Sequence, residues 1–436
     1  MPWKNLVKII LPALLLSAGC ADTHRRPLNI NQDRASTQDI QPRRNKIERP
    51  QLLKRALRGC DWLADISQIK DKTDRYYGAM KGEYDTKSRR WGMYGPFWHT
   101  AQAVRTLILA YKISGDEKYL SSAVLGGEYL VRDQITDANN SRQYGFILSK
   151  DRQVSTASQI EGLMALYDLY KTTKNPMWRD RFHMAVDWIA KNLYLKGEGL
   201  FYNYYLVPED KPAPIEESRP HLDDAVFAAA YQEFKDPLYL AIFKEIAERL
   251  LKDEDPPGNW IKYQPAMADA FEGQGRLHPR HAWWWGYPML TAYDVFGEKK
   301  YMDAAIRAAQ WYIDNNNIDG GYYYNVTKTT GKHLSFDFCT SGVGCAVIMW
   351  TDLWKRTGDE KYRKEIEVSL GFLLRAQFNE DLKDQNVRNA FWESYLPPDG
   401  SLQPGFYVRD IATIFAARAM LEIAQAFDDS IYYAEY

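Results

Sequence analysis

The sequence predicts an all-α protein, an (α/α)6 toroid in which six helical hairpins close into a double ring. Three observations predict it. A short turn motif recurs five times, each copy is preceded by an apolar helical run and followed by an amphipathic one, and the last apolar run is as apolar as those in the middle. The motif reads GDEKYL at Gly115, KNPMWR at Lys174, KDPLYL at Lys235, GEKKYM at Gly297 and GDEKYR at Gly358. Its aromatic members, Tyr119, Trp178, Tyr239, Tyr301 and Tyr362, recur about every 60 residues, too long for tetratricopeptide or armadillo units, so each repeat holds two helices. Gly, Asn-Pro or Asp-Pro at the motif ends one helix and starts the next.

Apolar helices are expected over 97–113, 155–173, 222–234, 281–296, 340–356 and 409–427, with amphipathic partners over 51–66, 117–134, 177–192, 237–251, 298–314 and 359–376. A helix that is apolar all round must be buried, whereas one with a single apolar stripe faces solvent on its other side. The first set is therefore an inner ring and the second an outer ring. An open solenoid would need polar capping helices at its ends. The final run, RDIATIFAARAMLEIAQAF, is not one.

Ahead of the ring, residues 1–20 carry a basic start (Lys4, Lys8), an apolar core to Leu16 and small residues before Cys20. This reads as an export signal too short to span a membrane. It resembles a bacterial lipoprotein signal, which implies lipidation of Cys20 and a place in the cell envelope, at the outer membrane or in the periplasm. Residues 21–50 read as a flexible tether, leaving 51–436 for the toroid. Cys60, Cys339 and Cys345 are expected as buried thiols, since their number and spacing give neither a disulfide framework nor a zinc site.

Composition narrows the partners. With 45% hydrophobic residues and a net charge of −1, the chain has a large core and no basic face for nucleic acid. No glycine-rich phosphate loop or metal cluster is visible, so no cofactor is expected. The 14 Trp and 30 Tyr suit sugar-ring platforms as well as core packing.

Turns from inner to outer helix are short, whereas the returns run to about 20–30 residues, and connections of that length usually carry function. All the returns fall on one rim, where inner-helix N-termini present unpaired N–H groups and a positive dipole end that favours an anionic ligand. The rim candidates are Trp98 and His99; Gln159 and Glu161; Arg219, His221, Asp223 and Asp224; Arg280, His281 and Trp283; Asp337 and Ser341; Tyr407 and Arg409. Asp223 and Asp224 would point about 100° apart on a helix, so one faces the funnel while the other pairs with Arg219 or caps the backbone. Alternatively, both simply complement the helix dipole. His221 and His281 are either proton movers or ordinary hydrogen-bonded histidines. Of Trp283, Trp284 and Trp285, one is expected to stack on sugar while the others pack. Arg280 and Arg409 could grip a carboxylate through two parallel hydrogen bonds, or pair with Asp410 or Glu272.

The motifs resemble those of the six-hairpin glycoside hydrolases, nearest to the unsaturated glucuronyl and rhamnogalacturonyl hydrolases. HLDDAVFAAAY is similar to that group's catalytic Asp and following inner helix, favouring Asp223 over Asp224. HPRHAWWWGY is similar to its Arg-Gly-Gln-Ala-Trp stretch, which implies Arg280, His281 and Trp283 in the pocket. DFCTSGVGCAVIMW is similar to its Asp-Ser-Ser-Ala helix, which implies Thr340 and Ser341 near the sugar. The group's second Asp, two residues before a Gly, is replaced here by Ile160 before Gly162, and Glu161 is expected to point elsewhere.

The resemblance implies a glycoside hydrolase releasing a uronic acid, or an unsaturated one, from an anionic oligosaccharide. Asp223 or Asp224 would be the principal acid/base, Glu161 or Asp337 the second carboxylate, Arg280 or Arg409 the carboxylate clamp, and Trp98 or Trp283 the floor. Hydrolysis through an oxocarbenium-like transition state ordinarily needs such a carboxylate pair. Three alternatives stay open: a polysaccharide lyase using His221, His281, Tyr204 and Arg280, a sugar epimerase using inner-helix histidines, and a non-catalytic glycan-binding lipoprotein.

Overall fold

The chain folds as the sequence predicts, into an (α/α)6 toroid, here as a computed structural model that describes residues 42–93, 97–140, 142–148, 153–263, 277–323, 338–393 and 407–436. The inner ring is made of α2 (Phe97–Ser114), α4 (Thr156–Thr173), α6 (Val226–Phe234), α8 (Pro279–Gly286) continued by α9 (Met289–Phe296), α11 (Thr340–Thr357) and α13 (Asp410–Ala426). Around it lie α1 (Arg49–Asp61), α3 (Glu117–Val131), α5 (Pro176–Asn192), α7 (Pro237–Asp253), α10 (Lys299–Asp314) and α12 (Glu360–Ala376). Burial separates the rings: α13 is buried from Asp410 through Leu421 on every side, whereas α7 buries one stripe, Tyr239, Ile242, Phe243, Ile246, Ala247 and Leu250.

The repeated motif is a repeated turn. Lys174 and Lys235 adopt left-handed backbone at φ 59°, and Asn175 and Asp236 then cap the next helix by accepting from the N–H groups of Met177 at 3.0 Å and Leu238 at 2.8 Å. Pro176 and Pro237 follow at the first helical position, where a missing N–H costs nothing. Gly115 and Gly358 serve as the left-handed residue before caps Asp116 and Asp359, and Gly297 does so before Glu298, which makes no side-chain cap. Two residues after the first helical position of each of these outer helices, the motif's aromatic ring is buried, which is why an aromatic recurs.

Two inner rods depart from expectation. The fourth is broken at Tyr287-Pro288, because a proline lacks the N–H that would continue the ladder. The third begins at Val226, not at 222: Asp223–Ala225 form a single 3-10 turn in which Asp224 (φ 54°, ψ 11°) and Ala225 (φ 55°, ψ 36°) are both left-handed.

The ring closes through its last helix, which packs on α11, α1 and α2. Thr106 on α2 donates to the Ile414 carbonyl on α13 at 3.3 Å. Close approach on the other flank relies on Gly344, where an added Cβ would lie 2.6 Å from the Phe415 carbonyl. A clasp adds to this: β1 (Arg43–Glu48) runs antiparallel to β10 (Ser430–Glu435), setting Ile47 against Ile431. The remaining strands are short and lie within the outer-to-inner connections. They are β2 (Glu83–Asp85) between β3 (Arg90–Met93) and β9 (Tyr407–Arg409), β7 (Tyr204–Leu206) between β4 (Gln153–Ser155) and β8 (Lys211–Pro212), and the pair β5 (Tyr194–Leu195) and β6 (Leu200–Phe201). Cys60, Cys339 and Cys345 are buried free thiols, as expected. Cys20 and residues 21–41 of the expected tether lie outside the described residues, whereas its end, expected to be flexible to residue 50, is strand β1 and the start of α1.

Candidate active site

The long connections and inner-helix starts gather a cluster of carboxyl groups. Trp98, Gln102 and Arg105 share one face of α2, at spacings of four and three residues. Gln102 Nε2 donates to Glu161 Oε2 at 3.1 Å and to Asp224 Oδ2 at 2.9 Å, so one amide joins a carboxyl of α4 to one of the turn before α6. Arg105 donates from Nη1 to the other oxygen of Asp224 and from Nε to Asp168 Oδ2 at 2.8 Å. His221 Nδ1 stands 3.2 Å from Asp223 Oδ2, and its Nε2, buried, has no partner among the described residues.

The left-handed turn produces this arrangement. Adjacent helical residues could not both be buried in the cup and hold different partners, but reversing φ at Asp224 and Ala225 lets Asp223 meet His221 while Asp224 meets Gln102 and Arg105. For alanine that backbone costs about 1–2 kcal/mol, a strain of the kind that persists where surrounding structure imposes it. The expectation that Arg219 would hold one of the pair is not met. Arg105 holds Asp224, while Arg219 pairs its backbone with Phe201 and lies within the field of Asp223.

Electrostatics separates the carboxyls. Burial, then the negative charges of Asp223 and Asp224, push Glu161 well above the ordinary carboxylate range, against smaller opposing effects from Gln102 and Arg280. Burial also raises Asp223, offset in part by His221. Burial alone would depress the Arg105 guanidinium, but Asp224 and Asp168 together leave it raised. Glu161 was expected to point elsewhere, and it does not. A Cβ on the neighbouring Gly162 would lie 2.3 Å from the Phe97 ring, so α2 seats closely on α4 and brings Gln102 to Glu161.

Across the cup, Arg280 on α8 donates from Nη1 to Ser341 Oγ at 2.8 Å and to Glu393 Oε1 at 3.2 Å. Glu393 also accepts from the Ser341 N–H at 2.8 Å and the Ser341 hydroxyl at 2.6 Å. The guanidinium carbon lies 5.7 Å from the ring centroids of both Trp98 and Trp284, within cation–π range. Those two half-buried rings meet edge-on at 5.9 Å.

Trp283, expected as a sugar platform, is instead core. It is 1% exposed, stacked on Tyr287 and set edge-on to Phe415. Its neighbour Trp284 takes the open position, because one helical step rotates a side chain by about 100°. His281 is buried against Trp284 and Trp285, Gln159 is buried, and His99 is buried with Nδ1 2.6 Å from Asp410 Oδ1. Arg409 pairs with Glu83 at 2.8 Å. Tyr407 opens β9, and its side chain, like Asp337, lies outside the described residues. Among the described residues no cluster of three or more His, Cys, Asp or Glu side chains is arranged to hold a metal.

Two charged residues of the cup were missed. Arg105 left a signal, a lone charge inside an apolar run, seven residues after Trp98. Glu393 left almost none, since it sits in a connection without periodicity, beside Phe391 and Trp392.

No protein-family model and no curated protein matches the sequence. Solved structures do match. A cellobiose 2-epimerase from Bacillus thermoamylovorans superposes with a TM-score of 0.64 at 14% identity, over 85% of this chain and 99% of that one. An unsaturated glucuronyl hydrolase specific for heparin gives 0.63 at 14% identity, over 86% and 97%. An inactive variant of an α-1,6-mannanase of Salegentibacter sp., in complex with α-1,6-mannotriose, gives 0.55 at 14% identity, over 86% and 100%. At such identity the likeness concerns architecture, and the chain shares their (α/α)6 fold.

Proposed function

We propose that the protein is a glycoside hydrolase whose acid–base couple is Glu161 and Asp223, acting on an oligosaccharide bound in the cup. The observation that carries this reading is the buried trio Glu161, Asp223 and Asp224, in which Arg105 and Gln102 fix Asp224, burial raises Glu161 well above the ordinary carboxylate range, and His221 opposes the rise at Asp223. Glu161, the more strongly raised, donates its proton to the glycosidic oxygen as the C1–O bond breaks and the electron pair leaves with that oxygen. Asp223, oriented by His221, either takes a proton from the attacking water or itself attacks C1, a choice set by the separation of the two carboxyls. Asp224 is a positioning residue. Trp98 and Trp284 offer faces for a sugar ring.

The folds that this chain shares include epimerases as well as hydrolases. An epimerase would move protons through histidines such as His281 or His99, and three clustered carboxyls would have no task in it. The inactive mannanase variant has two adjacent aspartates replaced, and this cup also holds an adjacent pair. The N-terminal signal and Cys20 support a place in the bacterial cell envelope through a lipid anchor.

The test is product analysis on a panel of neutral and uronate oligosaccharides. Wild type should release reducing ends, and Asp223→Asn should lose at least about 100-fold in kcat. A product carrying a new carbon–carbon double bond, a change of stereochemistry alone, or full turnover by Asp223→Asn would each remove the hydrolase assignment.

A further inference from the structure

Arg280, expected with Arg409 as the alternative clamp for a sugar carboxylate, and Ser341, expected near the sugar, are both already engaged. Glu393, whose side chain is fully buried, receives Arg280 Nη1, the Ser341 hydroxyl and the Ser341 backbone N–H in the first turn of α11. A guanidinium, a hydroxyl and a helix-terminal N–H converging on two carboxylate oxygens is how proteins bind a ligand carboxylate. Here the ligand is the chain's own side chain.

Arg105, a second cation of the cup, is spent on Asp168 and Asp224. The opposite wall holds Glu161, Asp223 and Asp224. A substrate carboxylate entering this space would meet a carboxyl cluster in which a further buried negative charge is unfavourable. Trp98 and Trp284, half-buried beside Arg280, still present faces to an uncharged ring.

We propose that Glu393 is a specificity-determining residue that fills the anion-binding edge of Arg280, so that the cup takes a neutral glycosyl unit and rejects a uronosyl one. The inference rests on the cup being the sugar site, and it replaces the uronate expected from sequence with a neutral hexose.

The experiment uses ligand pairs that differ only at C6: methyl glucoside with methyl glucuronide, and the galacto and manno counterparts. Binding to the full protein is measured by calorimetry and saturation-transfer NMR, with no need for turnover. In at least one pair the neutral member should bind more tightly by at least about tenfold, the low end of what a misfitting group costs in a pocket. Glu393→Gln keeps the shape and removes the charge, and should shrink that ratio by about tenfold. Uronides binding as well as their neutral twins, a ratio unchanged in folded Glu393→Gln, or no binding by any member would overturn the proposal. Where Glu393→Gln fails to fold, the wild-type pairs decide alone. A preserved binding order without cleavage of any glycoside leaves this inference standing and removes the hydrolase reading instead.

Discussion

The two ends of the ring are built by different rules. At the short-turn end, one left-handed residue and one Asp or Asn cap recur at Lys174-Asn175, Lys235-Asp236, Gly115-Asp116 and Gly358-Asp359, each cap satisfied by a backbone N–H near the surface. At the long-connection end nothing repeats. Carboxyls are buried together, alanine adopts a backbone suited to glycine, and His221 Nε2 and Asp410 Oδ2 are buried without partners among the described residues. Repetition marks what the fold needs, and departure from it marks where stability has been given up.

That contrast can be tested, beginning with the largest effect. Glu161→Gln should lower kcat by about 10²–10⁴-fold, the usual contribution of a general acid, while raising thermal stability near neutral pH. The sign follows from its raised folded-state pKa. The unfolded chain releases this proton near pH 4.3 and the folded one only at higher pH, so the folded form binds more protons between the two and stability falls as pH climbs through that window. Melting curves across that range should therefore lose, in the variant, the part of their slope due to Glu161. An unchanged pH profile would show that Glu161 is not held protonated.

Next in size, Arg105→Met strands Asp224 and Asp168 and should cost about 3–5 kcal/mol, as breaking a buried ion pair does. Denaturant titration measures it, and a loss below about 1 kcal/mol, the range of an exposed pair, would mean that water already screens this site. The smallest change belongs to the other end. Asp236→Ala removes a cap and should cost about 0.5–2 kcal/mol with kcat unchanged. A loss of turnover there would break the division of labour between the ends.

The same division governs what the sequence reveals. Ring order, inner and outer membership and helix spans are readable because they rest on apolar periodicity and on turn chemistry such as Asp-Pro, both local. The start of α6 is not, because a left-handed alanine at 225 carries no residue-type signature. Nor is the rotation of α8. Three consecutive tryptophans define a helix but not which of them faces the cup, and the answer, Trp284, depends on how α8 lies beside α13. Glu161 was placed on the wrong side for a related reason: its direction is set by the contact of Gly162 with Phe97, between helices far apart in sequence. Glu393 lies in an aperiodic connection, and only its meeting with Arg280 and Ser341 in space gives it meaning.

The clasp between β1 and β10 has a further bearing on when the cup can exist. Its side chains come from α2, α4, the turn before α6, α8, α11 and the connection before α13, and the ring that aligns them is fastened by strands at opposite ends of the sequence. Contacts so distant along the chain form late, after the entropy of closing the intervening loop has been met. A chain still being synthesised thus carries Glu161, Asp223 and Asp224, which all precede α7, before it carries Glu393 and the helix and strand that fasten the ring.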